Sequence, residues 1–295
     1  MAHNIFKGLG IALITPFLED GSVDYKSLIR LVEYQLNNGA DFFCILATTG
    51  ETPTLTAEEK QKIKDLIVDL VGGRVPILVG CGGNNTAAIV NELQTGDFRG
   101  VDGILSVCPY YNKPSQEGLY QHFKAIAAAT QLPVVLYNVP GRTGVNMTAA
   151  TSVRLAYDCP NIVAIKEASG NLEQVDEIIK NSPRGFEVLS GDDALTFPMV
   201  SCGAVGAISV IGNALPREFS KMIRLQMRGE YDGARKIHHR FQDLFSLLFV
   251  DGNPAGVKCM LSEMGYLQNI LRLPLVPTRI STLQRMSEIM KELKI

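Results

Sequence analysis

The sequence predicts a (β/α)8 barrel, also called a TIM barrel, with a C-terminal helical extension. Short apolar runs of the β type alternate with helical patterns, and eight such runs occur in series. The chain length of 295 residues also matches an eight-stranded barrel with an added segment. Strands that alternate with helices form parallel βαβ units with right-handed crossovers, and eight of these units most naturally close into a barrel.

The predicted strands follow one another at similar intervals. Their last residues lie near Thr15, Ala47, Gly80, Val107, Asn138, Lys166, Ser190 and Ser209. A doubly wound open sheet would also alternate strands with helices, but its nucleotide-binding fingerprint is missing. The glycine-rich segment 80–83 lacks the GxGxxG spacing that binds phosphates in that fold. The pattern therefore favours the closed barrel.

The clearest predicted helix covers residues 56–71. Ile63, Ile67 and Val71 repeat at helical spacing, which places them on one face. Thr56 followed by Glu59 is typical of a capping box at a helix start. The two glycines that follow Val71 predict its end, just before the third strand.

Residues 216–295 carry helical patterns without a further strand. Pro216 is expected to start the last barrel helix, and Asn253-Pro254 is expected to cap and open a later helix. The tail is predicted to hold the last barrel helix and about three more. We divide the chain into a catalytic barrel, residues 1–229, and a helical extension, residues 230–295.

Composition excludes several classes of protein. With 28 basic and 30 acidic side chains, the chain lacks the positive charge typical of a nucleic-acid binder. The apolar run 8–17 has no strongly basic leader and is too short to cross a bilayer, so neither a signal peptide nor a membrane segment is expected. The six cysteines stand singly, without zinc spacing, and are expected to be reduced core residues of a cytoplasmic protein.

Lys166 ends an apolar strand pattern and precedes a loop and a helical pattern. A lysine at the C-terminal mouth of a buried strand is partly desolvated, which favours the free amine that attacks carbonyls. The simpler interpretation is a lysine that pairs with Glu167 or binds a phosphate. Residues at the ends of neighbouring strands must decide, since a barrel builds its active site there.

Other predicted strand ends carry polar groups suited to the same site. Thr48 and Thr49 offer hydroxyls and amides that can hold a carboxylate or relay a proton, although alone they would be ordinary turn residues. Tyr111 and Tyr137 add hydroxyls, at positions where tyrosines are usually packing residues. Arg142 has the geometry to bind a carboxylate through two hydrogen bonds, although an exposed arginine is the default.

Together these groups supply what imine chemistry on a keto acid needs: an amine, proton-carrying hydroxyls and donors for carboxylates. The histidines stand outside these loops, at His3, His122, His238 and His239. This placement argues against a metal-dependent aldolase and against a Ser/His or Cys/His hydrolase, and we expect neither a metal nor a cofactor. His238 and His239 are expected on a solvated helix face.

The loop motifs occur in the order and at the intervals of a known family. They are Thr48-Thr49-Gly50-Glu51, Pro109-Tyr110-Tyr111-Asn112, the segment 137–144, Ile165-Lys166-Glu167-Ala168-Ser169-Gly170 and Ser190-Gly191-Asp192-Asp193. Over essentially its whole length, the chain resembles the 4-hydroxy-tetrahydrodipicolinate (dihydrodipicolinate) synthase family. This family belongs to the pyruvate-dependent class I aldolases, which also contain N-acetylneuraminate lyase. The resemblance implies condensation of pyruvate with L-aspartate 4-semialdehyde through a lysine Schiff base, on the route to diaminopimelate and lysine.

The resemblance also implies catalytic roles. Lys166 would form the imine with C2 of pyruvate, and loss of a methyl proton would give the enamine nucleophile. Tyr137, Thr48 and Tyr111 match the family's relay of hydroxyl groups, in which the equivalent of Tyr111 comes from the neighbouring subunit. A homo-oligomer is therefore implied, with a tetramer of two tight dimers as the expected form.

The same resemblance assigns the substrate contacts. Thr49 matches the residue that holds the pyruvate carboxylate, and Gly191 and the Ile208 carbonyl match positions that line the pyruvate pocket. Arg142 matches the residue that binds the carboxylate of the second substrate. Another pyruvate-type class I aldolase or dehydratase, such as the sugar-acid enzyme N-acetylneuraminate lyase, is the nearest alternative, but a short aldehyde bearing a carboxylate better explains an arginine here. A non-catalytic barrel that binds a keto acid is the remote alternative.

Regulation is the last expectation from the resemblance. Lysine inhibits some relatives in a cleft between the subunits of the tight dimer, where Asn84 and Tyr110 match two of its contacts. The positions that carry histidines in strongly inhibited relatives are Ala57 and Lys60 here, and a glutamate is replaced by Ala88. Lost acceptors and an added positive charge predict little or no inhibition by lysine.

Overall fold

The structure is a computed structural model that describes residues 5–295. Within this range the strands form a closed parallel barrel in chain order, from β1 to β8. They are β1 (Gly8–Ala12), β2 (Phe42–Ile45), β3 (Ile77–Gly80), β4 (Gly103–Val107), β5 (Val134–Asn138), β6 (Ile162–Glu167), β7 (Glu187–Ser190) and β8 (Gly206–Ser209). Gly10 pairs with Phe42 on one side and with Ile208 on the other, which closes the barrel. The predicted TIM barrel is thus confirmed, and the open sheet is excluded.

Helices connect the strands and cover the outside of the barrel. They are α1 (Tyr25–Asn37), α2 (Ala57–Val71), α3 (Thr86–Thr95), α4 (Gln116–Ala128), α5 (Pro140–Thr143), α6 (Ala149–Asp158), α7 (Leu172–Asn181), α8 (Thr196–Ser201), α9 (Pro216–Met227), α10 (Tyr231–Leu247), α11 (Ala255–Glu263) and α12 (Ile280–Leu293). Short 3₁₀ turns lie at Thr48–Gly50, Thr52–Thr54 and Ile211–Asn213.

Helix α2 shows how the local sequence sets its bounds. The Thr56 side chain accepts a hydrogen bond from the Glu59 amide, and the Glu59 carboxylate accepts one from the Thr56 amide, so the predicted capping box is present. Gly72 ends the helix in the left-handed conformation with φ of 56°, as glycine does readily. The buried residues Ile63, Ile67 and Val71 face the barrel.

Predicted strand ends agree with the structure except near the first two strands. Apolar residues continue past the last paired residue there, since β1 ends at Ala12 while Leu13 and Ile14 remain buried. The Leu13 amide still donates to the Cys44 carbonyl over 3.0 Å, so the chain leaves the sheet gradually. A buried loop and a buried strand therefore share one hydropathy pattern.

Two apolar clusters fill the molecule. The larger one, which includes Ile165, lies between the strands and the helices. The smaller one lies inside the barrel and contains Ala164, Tyr137 and Ile208. Because side chains alternate along a strand, Lys166 continues the inward direction of Ala164.

The extension follows α9 and consists of α10, α11 and α12 in the part of the chain that the structure describes. Arg30 of α1 donates hydrogen bonds to the carbonyls of Gly265 and Tyr266, which attaches the segment after α11 to the barrel. The division at residue 229 falls in the turn between α9 and α10, and the assignment of two domains stays a prediction.

Three details of the sequence interpretation were wrong. Asn253 does not cap α11, since Pro254 occupies the cap position and the Asn253 amide turns to the barrel instead. His238 is half-buried and stacks on Phe197 with ring centroids 5.3 Å apart, so of the two histidines expected on a solvated face only His239 is exposed. All six cysteines are free, but Cys202 is exposed. For Asn253 and His238, the contact that decides comes from another element. His3 lies outside the described residues.

Candidate active site

Lys166 and Tyr137 meet inside the barrel. They are paired residues on the adjacent strands β6 and β5, and both are about 5% exposed. The Lys166 Nζ atom lies over the Tyr137 ring, 4.1 Å from its centroid. The amine and the phenol therefore share one desolvated site at the C-terminal end of the barrel.

Space for the Lys166 side chain depends on Gly191, the residue after β7. A Cβ atom at this position would lie 3.1 Å from Lys166 Cε and 2.8 Å from the Ala168 Cβ. A side chain at this position would therefore force Ala168 to shift and would crowd the lysine. Ile208, buried in β8, belongs to the same interior cluster as Tyr137. The fold thus places Gly191 against Lys166 and Ile208 in the barrel interior, and their assignment to a pyruvate pocket stays a prediction.

Glu167 points to the other face of β6, so the simpler interpretation of a Lys166–Glu167 pair is wrong. The Glu167 carboxylate accepts hydrogen bonds from Asn138 Nδ2 at 3.0 Å, from Gln174 Nε2 at 3.1 Å and from the Ser169 amide at 2.7 Å. Asn138 and Glu167 follow Tyr137 and Lys166 on paired strands. This network therefore ties together the two strand ends that carry the site.

Thr48 and Thr49 lie on the segment Leu46–Thr52, which we call the threonine loop. Thr48–Gly50 forms a 3₁₀ turn, in which the Gly50 amide donates a hydrogen bond to the Ala47 carbonyl over 3.0 Å. The turn lies between two non-glycine residues with positive φ, Leu46 at 52° and Glu51 at 53°. Such a backbone is strained, so neighbouring contacts must hold it.

The threonine loop also needs a glycine on the neighbouring strand. A Cβ atom at Gly80 would lie 2.1 Å from the Leu46 carbonyl oxygen. The end of β3 therefore lets the loop approach closely over the barrel mouth. The absent side chain, not flexibility, explains this glycine.

The extension supplies contacts to the threonine loop that the sequence interpretation missed. Asn253 Nδ2 donates to Thr49 Oγ1 over 3.0 Å. Lys258 Nζ lies 2.5 Å from Glu51 Oε1, and both side chains are completely buried. Burial lowers the pKa of Lys258 to about 8, against the opposing effect of Glu51. The sequence could have indicated this pair, because Lys258 is the one charged residue in the apolar segment 254–261, and a buried lysine requires a partner.

A cavity of about 480 Å³ opens beside Tyr137, the residue whose ring Lys166 contacts. Its walls include Thr48, Tyr110, Tyr137, Arg142 and Asn253. Arg142 is exposed and lies on the short helix α5. A cation at the rim and hydroxyls below it suit a small ligand that carries a carboxylate.

Tyr111 does not line this cavity, and neither do Lys166, Thr49, Gly191 and Ile208, which lie behind its walls or beside them. Tyr111 differs from these four because it points to solvent. Its side chain is 89% exposed, and its φ of 73° lies in the left-handed region. Lys113, two residues later, also has a positive φ of 44°. This exposed, strained loop contrasts with the buried threonine loop.

Two buried titratable side chains near the site, Cys44 and Asp193, have shifted pKa values. Burial raises the pKa of the Cys44 thiol to about 11, with Lys166 acting in the opposite direction, so Cys44 is a neutral thiol. Burial also raises the pKa of Asp193 to about 6, although the amides of Val210 and Ile211 donate to it. Among residues 5–295, the side chains form no group of three or more His, Cys, Asp or Glu that could hold a metal ion.

A helix long and apolar enough to cross a membrane is not found in the described part of the chain.

His122 is buried on α4, where its Nδ1 lies 2.8 Å from Thr86 Oγ1. Burial lowers the pKa of His122 to about 4.

Comparison with known proteins agrees with the geometry. Residues 5–293 match the model of the dihydrodipicolinate synthetase family. The chain is 65% identical to the 4-hydroxy-tetrahydrodipicolinate synthase of Phocaeicola vulgatus, over all of this chain and 99% of that protein. It is 62% identical to the enzyme of the same name from Parabacteroides distasonis, again over 100% and 99% of the two chains.

Solved structures give the same result. The dihydrodipicolinate synthase of Thermotoga maritima superposes with a TM-score of 0.96 at 40% identity, covering 99% of each chain. The synthase of Aquifex aeolicus gives a TM-score of 0.94 at 42% identity, covering 98% of each chain. The match of fold, length and motif order leads to one conclusion: this chain belongs to the dihydrodipicolinate synthetase family.

Proposed function

We propose that this protein condenses pyruvate with L-aspartate 4-semialdehyde to give 4-hydroxy-tetrahydrodipicolinate, in the route to diaminopimelate and lysine. The observation that carries the proposal is the Lys166 amine over the Tyr137 ring, 4.1 Å from its centroid, with Tyr137 and Arg142 lining the same cavity. Family membership and the names of the similar enzymes support the choice of substrates.

The first half of the reaction makes a nucleophile from pyruvate. The free amine of Lys166 attacks C2 of pyruvate, and loss of water from the tetrahedral intermediate leaves an imine. The positive imine nitrogen then draws electrons as a methyl proton leaves, which gives an enamine. Tyr137 is 5% exposed and contacts the amine, so it is the group we assign to the proton transfers.

The second half forms the new carbon–carbon bond. The enamine carbon attacks the aldehyde carbon of the second substrate, and the aldehyde oxygen takes a proton through the hydroxyls of Tyr137 and Thr48. The amino group of this substrate then attacks the imine carbon, closes the ring and displaces Lys166. Tyr111 completes the hydroxyl relay from a neighbouring subunit in this proposal.

Substrate binding follows from the charges. Thr49 would hold the pyruvate carboxylate, beside Gly191 and the Ile208 carbonyl. Arg142 would bind the carboxylate of the aldehyde, because a guanidinium can donate two parallel hydrogen bonds to it. The reaction proposed here uses neither a metal nor a cofactor. Six free cysteines support a reducing compartment, the cytoplasm.

Trapping with sodium borohydride tests the proposal. Pyruvate and borohydride should leave a stable adduct on Lys166, located by mass spectrometry of the digested protein. An adduct on another lysine, or none, would exclude the mechanism. Lys166→Arg should keep the thermal unfolding temperature and lose nearly all turnover, since a guanidinium stays charged and cannot become the nucleophile. Robust cleavage of N-acetylneuraminate by the unaltered protein would favour the lyase alternative.

A further inference from the structure

The threonine loop is held by a buried ion pair from the far end of the chain. Glu51, which follows the 3₁₀ turn in the left-handed backbone conformation, is 1% exposed and meets Lys258 of α11 at 2.5 Å. The other Glu51 oxygen accepts the Arg272 amide at 3.0 Å. The loop end is therefore held by α11 and by the segment after it.

Lys258 is itself fixed on several sides. It donates to the Ile270 carbonyl over 2.9 Å and lies over the Phe17 ring, 4.2 Å from the centroid. The Arg272 guanidinium lies 4.4 Å from the centroid of the same ring and binds Glu59 at 2.5 Å. An ammonium with this many contacts has one defined position.

Stability alone is a poor explanation for the pair. Desolvating two charges costs about as much as their attraction returns, so apolar residues of similar volume often replace buried pairs without loss. An apolar pair would pack against α11 but would form no directed ion pair or hydrogen bonds, and these contacts fix the position of Glu51 at the end of the strained turn. The φ of 53° at Glu51 gives this turn a shape that the backbone does not favour by itself.

We propose that Glu51 and Lys258 are positioning residues that hold Thr48 and Thr49 in the orientation needed to bind the keto acid. The backbone makes the connection direct, because the Glu51 amide donates to the Thr48 carbonyl over 3.1 Å. Asn253, five residues before Lys258, donates to the Thr49 hydroxyl and extends the same contact surface. This inference rests on the proposed function, which assigns substrate contacts to the two threonines.

Two variants separate positioning from stability. Lys258→Met leaves Glu51 buried without its cation, so it should lower the unfolding temperature by at least about 5 °C. The double variant Glu51→Gln/Lys258→Met buries no unpaired charge, so its unfolding temperature should return towards the original value. In both variants, the pyruvate concentration that gives half-maximal borohydride trapping on Lys166 should rise about tenfold or more.

Lys64→Met is the matched control. Lys64 is a buried lysine of α2, 4% exposed, that donates to the Asp97 carbonyl, and neither residue lines the cavity. Its loss should lower the unfolding temperature and leave half-maximal trapping within about twofold. A second control is Thr49→Val: adding Lys258→Met to it should raise the trapping concentration little further, because the two changes act through one contact.

Results that contradict the inference can be told apart from a result that contradicts the proposed function. If the double variant folds and traps pyruvate at the original concentration, the pair serves stability and the inference is wrong. It is also wrong if both Lys258 variants fail to fold while Lys64→Met folds, since the pair is then required for the fold itself. Failure of the unaltered protein to trap pyruvate on Lys166 would instead overturn the proposed function on which the inference rests.

Discussion

The threonine loop and the tyrosine loop, residues 108–115, both carry hydroxyls assigned to one proton relay, yet they are built in opposite ways. Thr49 is 3% exposed and contacts the extension of the same chain, whereas Tyr111 is 89% exposed. Both loops contain non-glycine residues with positive φ. Strain in the first loop is held by buried contacts. In the second loop the aromatic side chain of Tyr111 is exposed, as expected for a residue that would enter the active site of a neighbouring subunit.

Hybrid dimers test this contrast with the largest expected effect. Tyr111→Phe should lower turnover by about 10²–10⁴-fold if the hydroxyl relays protons. Mixing it with Lys166→Arg should restore roughly a quarter of the original activity, because half of the random dimers carry one complete site. Activity would be measured after subunit exchange is verified by mass spectrometry. An absence of recovery would place Tyr111 in the site of its own subunit or outside the chemistry.

Arg142 sharpens the comparison, because it is exposed like Tyr111 and yet lines the cavity. Arg142→Ala should lower use of the aldehyde by about 10–100-fold, the loss of a charge-assisted contact of about 1.5–3 kcal/mol. Trapping of pyruvate on Lys166 should change little. The split between the two substrates is measured by steady-state kinetics with each varied in turn. Arg217→Ala, an exposed arginine that binds Asn38, is the control. Equal weakening of pyruvate would show that Arg142 contacts the first substrate.

Asn253→Ala tests the buried contacts of the threonine loop, with a smaller expected effect on pyruvate binding. Losing the 3.0 Å hydrogen bond to Thr49 frees the hydroxyl that is assigned to pyruvate. A neutral hydrogen bond contributes about 0.5–1.5 kcal/mol, so half-maximal trapping should need about 2–10 times more pyruvate. The aldehyde KM should stay nearly constant. A change confined to the aldehyde would instead mean that Asn253 itself contacts the second substrate.

Lysine is expected to have the smallest effect. The tyrosine loop would contribute Tyr110, whose carbonyl accepts a hydrogen bond from Asn84 at 3.1 Å, but Ala57, Lys60 and Ala88 remove or oppose the other contacts. A dose-response assay should show little inhibition at about millimolar lysine. Half-inhibition well below that concentration would mean that other groups of the two loops accept the ammonium groups.

Local patterns predicted the elements well, because they depend on neighbours in the chain. Alternation and apolar runs located strand ends such as Asn138 and Ser190, and the capping box located the start of α2 at Ala57. The same patterns failed at Asn253-Pro254, where a helix cap was expected. Tertiary contact outweighed local preference there, since the Asn253 amide donates to Thr49 rather than to α11.

The sequence by itself determined the barrel, the order of its elements and the strand end that carries Lys166, because periodicity and capping act within a few residues. Tertiary structure alone decided that Lys166 lies over Tyr137, that Gly191 leaves room for it and that Glu51 meets Lys258. The last two residues are 207 positions apart in the chain. A buried charge needs a partner, but the chain does not specify which one until folding brings the two elements together.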